Sequence, residues 1–191
     1  TNDHWAGLAQ EFMSHEFPYY KIETLDMTQM PRAIELDKKY LTFFNVGIDP
    51  KFWQLTGTKH VLAPYSVLTN NIPRRGKLKV LWRFDMENLT PMIKVNGEYV
   101  LAEVANSLDR FELYSKYYAI TNEQLSLQIL GADIFDPKTR LVVEKPVNFA
   151  PGHSTTNKLG INILSYKPNH IFLSVSAETN SMLLFNSRYS P

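Results

Sequence analysis

Alternation between apolar and polar residues in the last third of the chain is the feature that most constrains its fold. Side chains two residues apart lie on the same face of a β-strand, so such alternation predicts strands that bury one face. It runs through residues 171–177 and, more briefly, through residues 161–163, and an apolar run follows at residues 182–185. Turn-forming residues at 167–169 and 178–181 separate these segments. We therefore predict an antiparallel meander of three consecutive strands.

The end of the chain follows directly after the third predicted strand, residues 182–187, and lies at Pro191. No later segment of the sequence could pair with this strand or cover it. We therefore expect the chain to be a piece of a larger protein. Because a bare strand edge is a template for pairing with another chain, we also expect this edge to self-associate or to fray.

The first part of the chain carries helix signals. Apolar residues spaced three and four apart predict helices over residues 3–16 and 29–45. A third, short helix has Asp49 as its N-cap, Pro50 at its first helical position and Gly57 at its exit. These features predict three helices in the first part of the chain.

The middle of the chain carries strand and turn signals. Strands are predicted over residues 58–63, 78–86, 92–95, 99–104, 111–120 and 139–144. Asn96 and Gly97 form a two-residue hairpin signal. Between the last two strands, a helix begins at Thr121 with a capping box completed by Gln124, and it ends at Gly131. A strand, helix, strand order favours a right-handed crossover, so we expect these two strands to be parallel neighbours.

Together these elements indicate an α+β protein. We expect N-terminal helices with a mixed sheet over residues 1–147, followed by the antiparallel β meander over residues 159–191, which would form part of a β-sandwich and be truncated. Residues 148–158 are rich in Ser, Thr, Pro, Gly and Asn, a composition typical of a linker.

Composition and charge exclude several classes of function. Lys and Arg number 20 against 19 Asp and Glu, and the net charge of +1 gives no electrostatic reason to expect a nucleic acid partner. The absence of cysteine excludes disulfides and thiolate metal sites. No apolar run approaches about 18 residues and the first residues lack signal-peptide character, so we expect no membrane span in this segment.

No group of residues has the spacing of a catalytic or metal site. The histidines are His4, His15, His60, His153 and His170. None pairs with another at zinc-ligand spacing, and the glycines form neither a nucleophile elbow nor a phosphate loop. We interpret His60 as a half-buried strand residue, and Asp49 and Asp136 as turn or cap residues. Asp133 and Asp136 lack the spacing of a calcium loop. We predict no catalytic, cofactor-binding or metal-binding residue.

Aromatic residues make up 13% of the chain and allow two interpretations. They include Tyr19, Tyr20, Tyr114, Tyr117 and Tyr118. Core packing on strands is the interpretation that we favour, and an exposed surface that stacks on carbohydrate is the alternative. A basic patch at residues 74–79 is predicted to be a solvated loop, with contact to lipid phosphates as its alternative.

Two segments near the C-terminus carry the pattern I-x-SY-x-PN-x-I followed by LL-x-x-x-x-Y-x-P. The residues that match it are Ile163, Ser165, Tyr166, Pro168, Asn169, Ile171, Leu183, Leu184, Tyr189 and Pro191. This pattern resembles the C-terminal region of YfhO-type bacterial membrane proteins, which are multi-pass and glycosyltransferase-like. Residues 26–32, 52–62 and 135–139 also resemble segments of this family. The Trp and the hairpin that usually follow in the family are absent here.

The resemblance implies an accessory domain. In membrane glycosyltransferases of this architecture the catalytic acid lies in a loop near the N-terminus, which this chain does not contain. We therefore expect a soluble extracytoplasmic domain, in the periplasm or at the cell surface, of a membrane-anchored parent that modifies cell-envelope polymers from lipid-linked sugars. The implied partners are the transmembrane part of the same protein and a lipid-linked sugar or envelope glycan, with no cofactor and no nucleic acid. A non-catalytic module that binds glycans or proteins of the envelope is the alternative. A soluble enzyme is a third class, and it would need a pocket with convergent polar groups.

Overall fold

The computed structural model describes residues 39–40, 42–44, 49–66, 68, 78–86, 97–149, 160–167 and 170–186. The chain forms two compact units. The first unit consists of Thr1–Pro50 and Thr58–Ala105, and the second consists of Lys51–Gly57 and Asn106–Pro191. The linker predicted at residues 148–158 lies mostly outside the described residues and stays a prediction.

The first unit contains a three-stranded antiparallel sheet. Its strands are β1 (His60–Pro64), β2 (Leu78–Met86) and β3 (Gly97–Val104), in the order β1–β3–β2. The central strand β3 buries every second side chain, namely Val100, Ala102 and Val104. This period of two is the alternation expected of a strand that contributes one face to a core. Along β2 the register shifts between Val80 and Trp82, and the Trp82 ring is 65% exposed.

In the residues that the structure describes, the second unit combines two short helices with three strand pairs. The helices are α1 (Pro50–Leu55), whose residues from Lys51 onward belong to this unit, and α2 (Glu123–Gly131). The strands are β4 (Phe111–Tyr114), β5 (Tyr117–Ala119), β6 (Leu141–Val143), β7 (Gly160–Lys167), β8 (His170–Ser176) and β9 (Met182–Phe185). Strand β4 pairs antiparallel with β9, β5 pairs parallel with β6, and β7 pairs antiparallel with β8.

Aromatic and aliphatic side chains from α1, β4 and the loop before β6 form the core of the second unit. Its buried members include Phe52, Trp53, Leu108, Phe111, Leu113, Tyr114 and Phe135. Helix α1 ends at Leu55, and the chain leaves it through Gly57, whose φ of +73° is in the left-handed region that favours glycine. A Cβ at this position would lie 2.8 Å from Asn186 Nδ2 and 3.0 Å from the carbonyl oxygen of Leu108. Glycine therefore allows both the turn and the close approach of these groups.

Several predicted elements are confirmed. Helix α1 begins at Pro50 and leaves through Gly57, and strands are present close to the ranges predicted at residues 58–63, 78–86, 99–104 and 139–144. The strands that flank α2 are parallel neighbours, with Tyr117 opposite Leu141 and Ala119 opposite Val143. The broad class is α+β, with strands predominating among the described residues.

The three-stranded meander is wrong at its third strand. Strands β7 and β8 do form an antiparallel hairpin, but β9 pairs with β4, with Phe111 opposite Phe185 and Tyr114 opposite Met182. The Phe111 and Phe185 rings stack with centroids 5.1 Å apart. This pairing gives β9 a partner from the middle of the chain, so the strand predicted to have a bare edge is paired on one side.

Three finer predictions also differ from the structure. The strand predicted over residues 111–120 is two short strands, because the chain leaves the extended ladder at Ser115 and Lys116. The N-cap of α2 is Asn122 rather than Thr121: Asn122 Oδ1 accepts a hydrogen bond from the Leu125 N–H at 2.9 Å. Finally, none of the described strands belongs to a mixed sheet, since parallel and antiparallel pairs occur in separate sheets.

Some predicted elements lie outside the described residues. These are the helix at 3–16, most of the helix at 29–45, and the strand at 92–95. Within the second of these helices, residues 39, 40, 42 and 43 are helical, and the Phe44 N–H donates to the Tyr40 carbonyl at 3.1 Å.

Candidate functional site

A pocket of about 420 Å³ opens in the second unit beside α2 and the loop that precedes β6. Its apolar lining comes from Ile129, Ala132, Ile134 and Phe135, and its aromatic and polar lining from Tyr118, Asp136, Thr139 and Arg140. Protein pockets that bind small molecules usually measure about 300–1,000 Å³ and combine apolar walls with a few placed polar groups. This pocket has that combination.

The loop formed by residues 132–140, which we call the anchored loop, carries most of the lining. Asp136 folds it locally: its Oδ1 accepts a hydrogen bond from the Lys138 N–H at 3.0 Å. The Asp136 carbonyl accepts from the Thr139 N–H at 3.1 Å and from Thr139 Oγ1 at 3.0 Å. An Asp side chain that bonds the backbone two residues on is a common turn device. The prediction that Asp136 is a turn residue is therefore confirmed.

Three side chains attach the anchored loop to the rest of the second unit. Lys51 Nζ, on α1, donates to the Phe135 carbonyl. The hydroxyl of Tyr114, on β4, donates to the Pro137 carbonyl at 2.6 Å. The third side chain, Lys138, belongs to the loop itself, and its Nζ lies 3.0 Å from Asp109 and 3.0 Å from Glu112, both outside the loop. These attachments give the pocket wall a defined position.

The attachment by Lys51 is unusual because its side chain is 1% exposed. Burying a cation is costly unless nearby groups compensate for the lost water. Besides the Phe135 carbonyl, the Phe135 ring compensates, since Lys51 Nζ lies 5.3 Å from its centroid. Phe135 thus contacts the lysine with both its backbone and its ring, and it also lines the pocket.

Burial and charge shift the pKa of two loop-anchoring groups. Burial, with the nearby carboxylates of Glu112, Asp136 and Asp109, raises the pKa of the Tyr114 hydroxyl well above its usual value. Desolvation by itself lowers the pKa of Lys138, but its hydrogen bonds to Asp109 and Glu112 outweigh this and leave the pKa raised. At neutral pH, Tyr114 is therefore a neutral donor and Lys138 a cation, as their contacts require.

An aromatic and cationic pair forms the polar side of the pocket. The Arg140 guanidinium lies 5.0 Å from the centroid of the Tyr118 ring, and Arg140 Nη1 donates to the Tyr118 hydroxyl. The parallel pairing of β5 with β6 places Tyr118 opposite Val142, two residues after Arg140. Arg140 forms no ion pair with a carboxylate of any described residue. Its charge is therefore held in place but not neutralised there.

Among the described residues, several others singled out from the sequence do not line this pocket. His60 is exposed at the first position of β1, so the expectation that it is half-buried is wrong. His170 is exposed at the start of β8. Tyr114 is buried, which agrees with the interpretation that it packs in the core. Tyr118 is 39% exposed, so its ring is accessible. His4, His15, His153, Tyr19, Tyr20 and residues 74–77 lie outside the described residues.

A second exposed surface lies on the β7–β8 hairpin and β9. It includes large apolar side chains such as Leu164, 65% exposed, and Phe172, 62% exposed. The Arg110 guanidinium lies 5.7 Å from the Tyr166 ring centroid and 5.5 Å from that of Phe185. This surface is apolar and aromatic.

Sequence reasoning did not identify Lys51, Ile134 or Arg140 as site residues. One signal could have found Arg140: it lies in the strand predicted over residues 139–144, which was predicted to lie parallel to the segment containing Tyr118. Across residues 39–186 wherever the structure describes them, no group of three or more His, Cys, Asp or Glu side chains could hold a metal ion.

No family model, no curated protein and no solved structure matches this chain. Of the helices that the structure describes, none has both the length and the apolar character needed to cross a bilayer. Function is therefore inferred from the site and from the resemblance noted in the sequence.

Proposed function

We propose that this chain is a non-catalytic sugar-binding module of the bacterial cell envelope. The observation that carries the proposal is the pocket in which the accessible Tyr118 ring and Arg140 face aliphatic side chains. Sugars present apolar C–H faces and hydroxyl edges. An aromatic ring packs against such a face, and side-chain donors and acceptors bind the hydroxyls. The pocket supplies both kinds of contact.

The polar groups of the pocket are suited to recognition. Asp136 Oδ2 accepts no hydrogen bond from the described residues, so it is available to a ligand hydroxyl. Thr139 adds a hydroxyl, and Arg140 adds N–H donors beyond the one directed at Tyr118. No paired nucleophile and base accompany them in the pocket lining. Binding without turnover is the function that these groups support.

The resemblance to YfhO-type proteins supplies the proposed setting. There the chain would be an extracytoplasmic accessory domain of a multi-pass, membrane-anchored parent that transfers sugars from a lipid-linked donor. Its partner would be the transmembrane part of the same protein, and its ligand an envelope glycan brought close to the membrane site. We also propose that this domain has N-terminal helices, at residues 3–16 and 29–45, and that its C-terminal strands form part of a β-sandwich.

The test is sugar binding by the purified chain and by a variant that lacks the pocket ring. Envelope-type monosaccharides and disaccharides would be screened by ligand-observed NMR, and binders would be measured by calorimetry. We expect Tyr118→Ala to weaken binding by roughly tenfold, the loss expected for one aromatic contact and the donors it positions. Tyr166→Ala is the matched control, because Tyr166 is 46% exposed in the same unit but lies outside the pocket. Binding that is unaffected by Tyr118→Ala would contradict the proposal.

A second candidate function is protein binding through the β7–β8 hairpin, favoured by the exposure of Leu164 and Phe172. We take the occupant to be the transmembrane part of the same protein. Replacing both residues by Ser in the full-length parent should then lower cross-linking between the two parts while leaving sugar binding unchanged. If the double replacement lowered sugar binding but left cross-linking unchanged, this candidate would be contradicted.

A further inference from the structure

We propose that the ligand of the pocket is an acidic sugar, meaning a pyranose that carries a carboxylate or a phosphate group. This inference rests on the proposed function and adds the chemical class of the ligand. In the proposed arrangement the anionic group binds Arg140, the hydroxyls bind Asp136 and Thr139, and the apolar faces of the sugar ring pack against Tyr118 and the aliphatic side chains of the pocket.

The charge of Arg140 is the first reason. A guanidinium has five N–H donors in a planar fork that matches carboxylates and phosphates, and it stays charged at physiological pH. Only its donation to the Tyr118 hydroxyl is present among the described residues, and no carboxylate accompanies it. The remaining N–H donors would form their strongest hydrogen bonds with an anion that accepts two of them at once.

A comparable pair in the first unit shows what distinguishes Arg140. The Arg83 guanidinium lies 4.3 Å from the Tyr65 ring centroid, and Arg83 Nη2 donates to the Tyr65 hydroxyl at 3.2 Å. Arg83 Nη1, however, also lies 3.6 Å from Glu98 Oε1. In both pairs the guanidinium lies near a tyrosine ring and donates to its hydroxyl. Arg83 also pairs with a carboxylate, whereas Arg140 pairs with no carboxylate of the described residues. An anionic ligand would supply that missing partner.

Arg140 is also held in position before any ligand arrives. Its neighbour Leu141 donates its N–H to the Lys116 carbonyl at 3.1 Å, and the Ile120 N–H donates to the Val143 carbonyl at 2.8 Å. These backbone bonds flank the parallel pairing of β5 with β6 and position the Arg140 backbone, and the contacts with the Tyr118 ring and hydroxyl hold the guanidinium. Because the side chain loses less freedom on binding, more of the interaction energy appears as affinity.

Asp136 restricts the ligand to a molecule with two different ends. Its carboxylate repels an anion but accepts hydroxyl hydrogens, so the anionic group is directed to Arg140 and the hydroxyls to Asp136. The Ile134 side chain, 97% exposed at the pocket, offers an apolar contact to a ring face. A free inorganic anion would use only Arg140, and a neutral sugar would leave the guanidinium without an anion.

The experiment compares four probes on the folded chain by calorimetry and NMR: methyl glucuronoside, glucose 6-phosphate, methyl glucoside and inorganic phosphate. We expect at least one acidic sugar to bind roughly 10- to 100-fold more tightly than methyl glucoside, as charged hydrogen bonds predict. The carboxylate and phosphate probes decide which anion is preferred. Arg140→Gln should abolish the preference, and Arg140→Lys should restore part of it. The matched control is Arg83→Gln, which should leave all four affinities unchanged.

The outcomes separate this inference from the proposed function. If acidic and neutral sugars bind equally and Arg140→Gln has no effect, while Tyr118→Ala still weakens binding, the acidic-sugar inference is overturned and the sugar-binding function stands. If no sugar binds, both are overturned. If Arg140→Gln does not fold, salt dependence decides on the unaltered chain: added NaCl should weaken acidic-sugar binding but not neutral-sugar binding. Equal salt dependence would overturn the inference.

Discussion

The hydroxyl of Tyr114 is one of the groups that link strand β4 to the anchored loop. It donates to the Pro137 carbonyl at 2.6 Å, and both residues are buried. Tyr114→Phe removes the donor and leaves the carbonyl without it, so we expect a loss of roughly 1–3 kcal/mol in the free energy of unfolding at neutral pH. Urea denaturation measures this loss. The control is Tyr166→Phe, at a ring that is 46% exposed. Equal stability of the two variants would show that the Tyr114 bond contributes nothing.

The same residue predicts a dependence of stability on pH. The pKa of Tyr114 is raised in the folded chain above its ordinary value of 10.0, by burial first and then by Glu112 and its neighbours. The unfolded chain therefore loses this proton first as the pH rises, so the favourable contribution is complete below about pH 10 and declines above it. Lys138, whose pKa is raised above 10.5, acts in the same direction at higher pH.

We therefore expect the free energy of unfolding to fall as the pH rises above about 10, and to fall less steeply in Tyr114→Phe. Burial raises the pKa of Tyr40 to about 12, so some decline should remain in the variant. Denaturation series at several pH values measure both slopes. Parallel curves for the two proteins would contradict the role assigned to Tyr114.

At the scale of elements, helix α2 depends on its ends, because none of its residues is buried. Asn122 Oδ1 caps the Leu125 N–H, and the Ser126 N–H donates to the Asn122 carbonyl at 2.9 Å. Asn122→Ala should cost roughly 0.5–2 kcal/mol, as the loss of an N-cap typically does. Thr121→Ala is the matched control and should cost less. Thermal unfolding of both variants decides which residue is the cap, and a larger loss for Thr121→Ala would overturn the assignment.

At the scale of the whole molecule, β9 joins the C-terminal segment to the middle of the chain. It pairs with β4, and beyond it the Asn186 N–H donates to the Arg110 carbonyl at 2.8 Å. A chain that ends after Ser181 should lose these contacts and expose the β4 amides to hydrogen exchange. A chain that ends after Asn186 keeps β9 and is the control. Equal protection of residues 111–114 in the two truncated chains would contradict the importance of this pairing.

The features that the sequence determined are those set by residues close together along the chain. Pro50 and Gly57 delimit α1 because a fixed φ suits a helix start and a positive φ suits its exit. Asp136 forms its turn with Lys138 and Thr139, two and three residues away. The alternation at residues 171–177 places a strand at β8, and the order strand, helix, strand predicts the parallel neighbours β5 and β6. Each depends on local geometry, which a sequence displays directly.

Only the tertiary structure decided which distant segments meet. The apolar run at residues 182–185 predicts a strand but does not identify its partner. In the structure this strand pairs with β4, where Phe185 stacks against Phe111. The sequence patterns did not predict the pocket either. Lys51 reaches a carbonyl 84 positions away, and Arg140 meets Tyr118 across a strand pair. Such contacts depend on how whole elements pack and which polar groups burial forces together, and no local pattern encodes that choice.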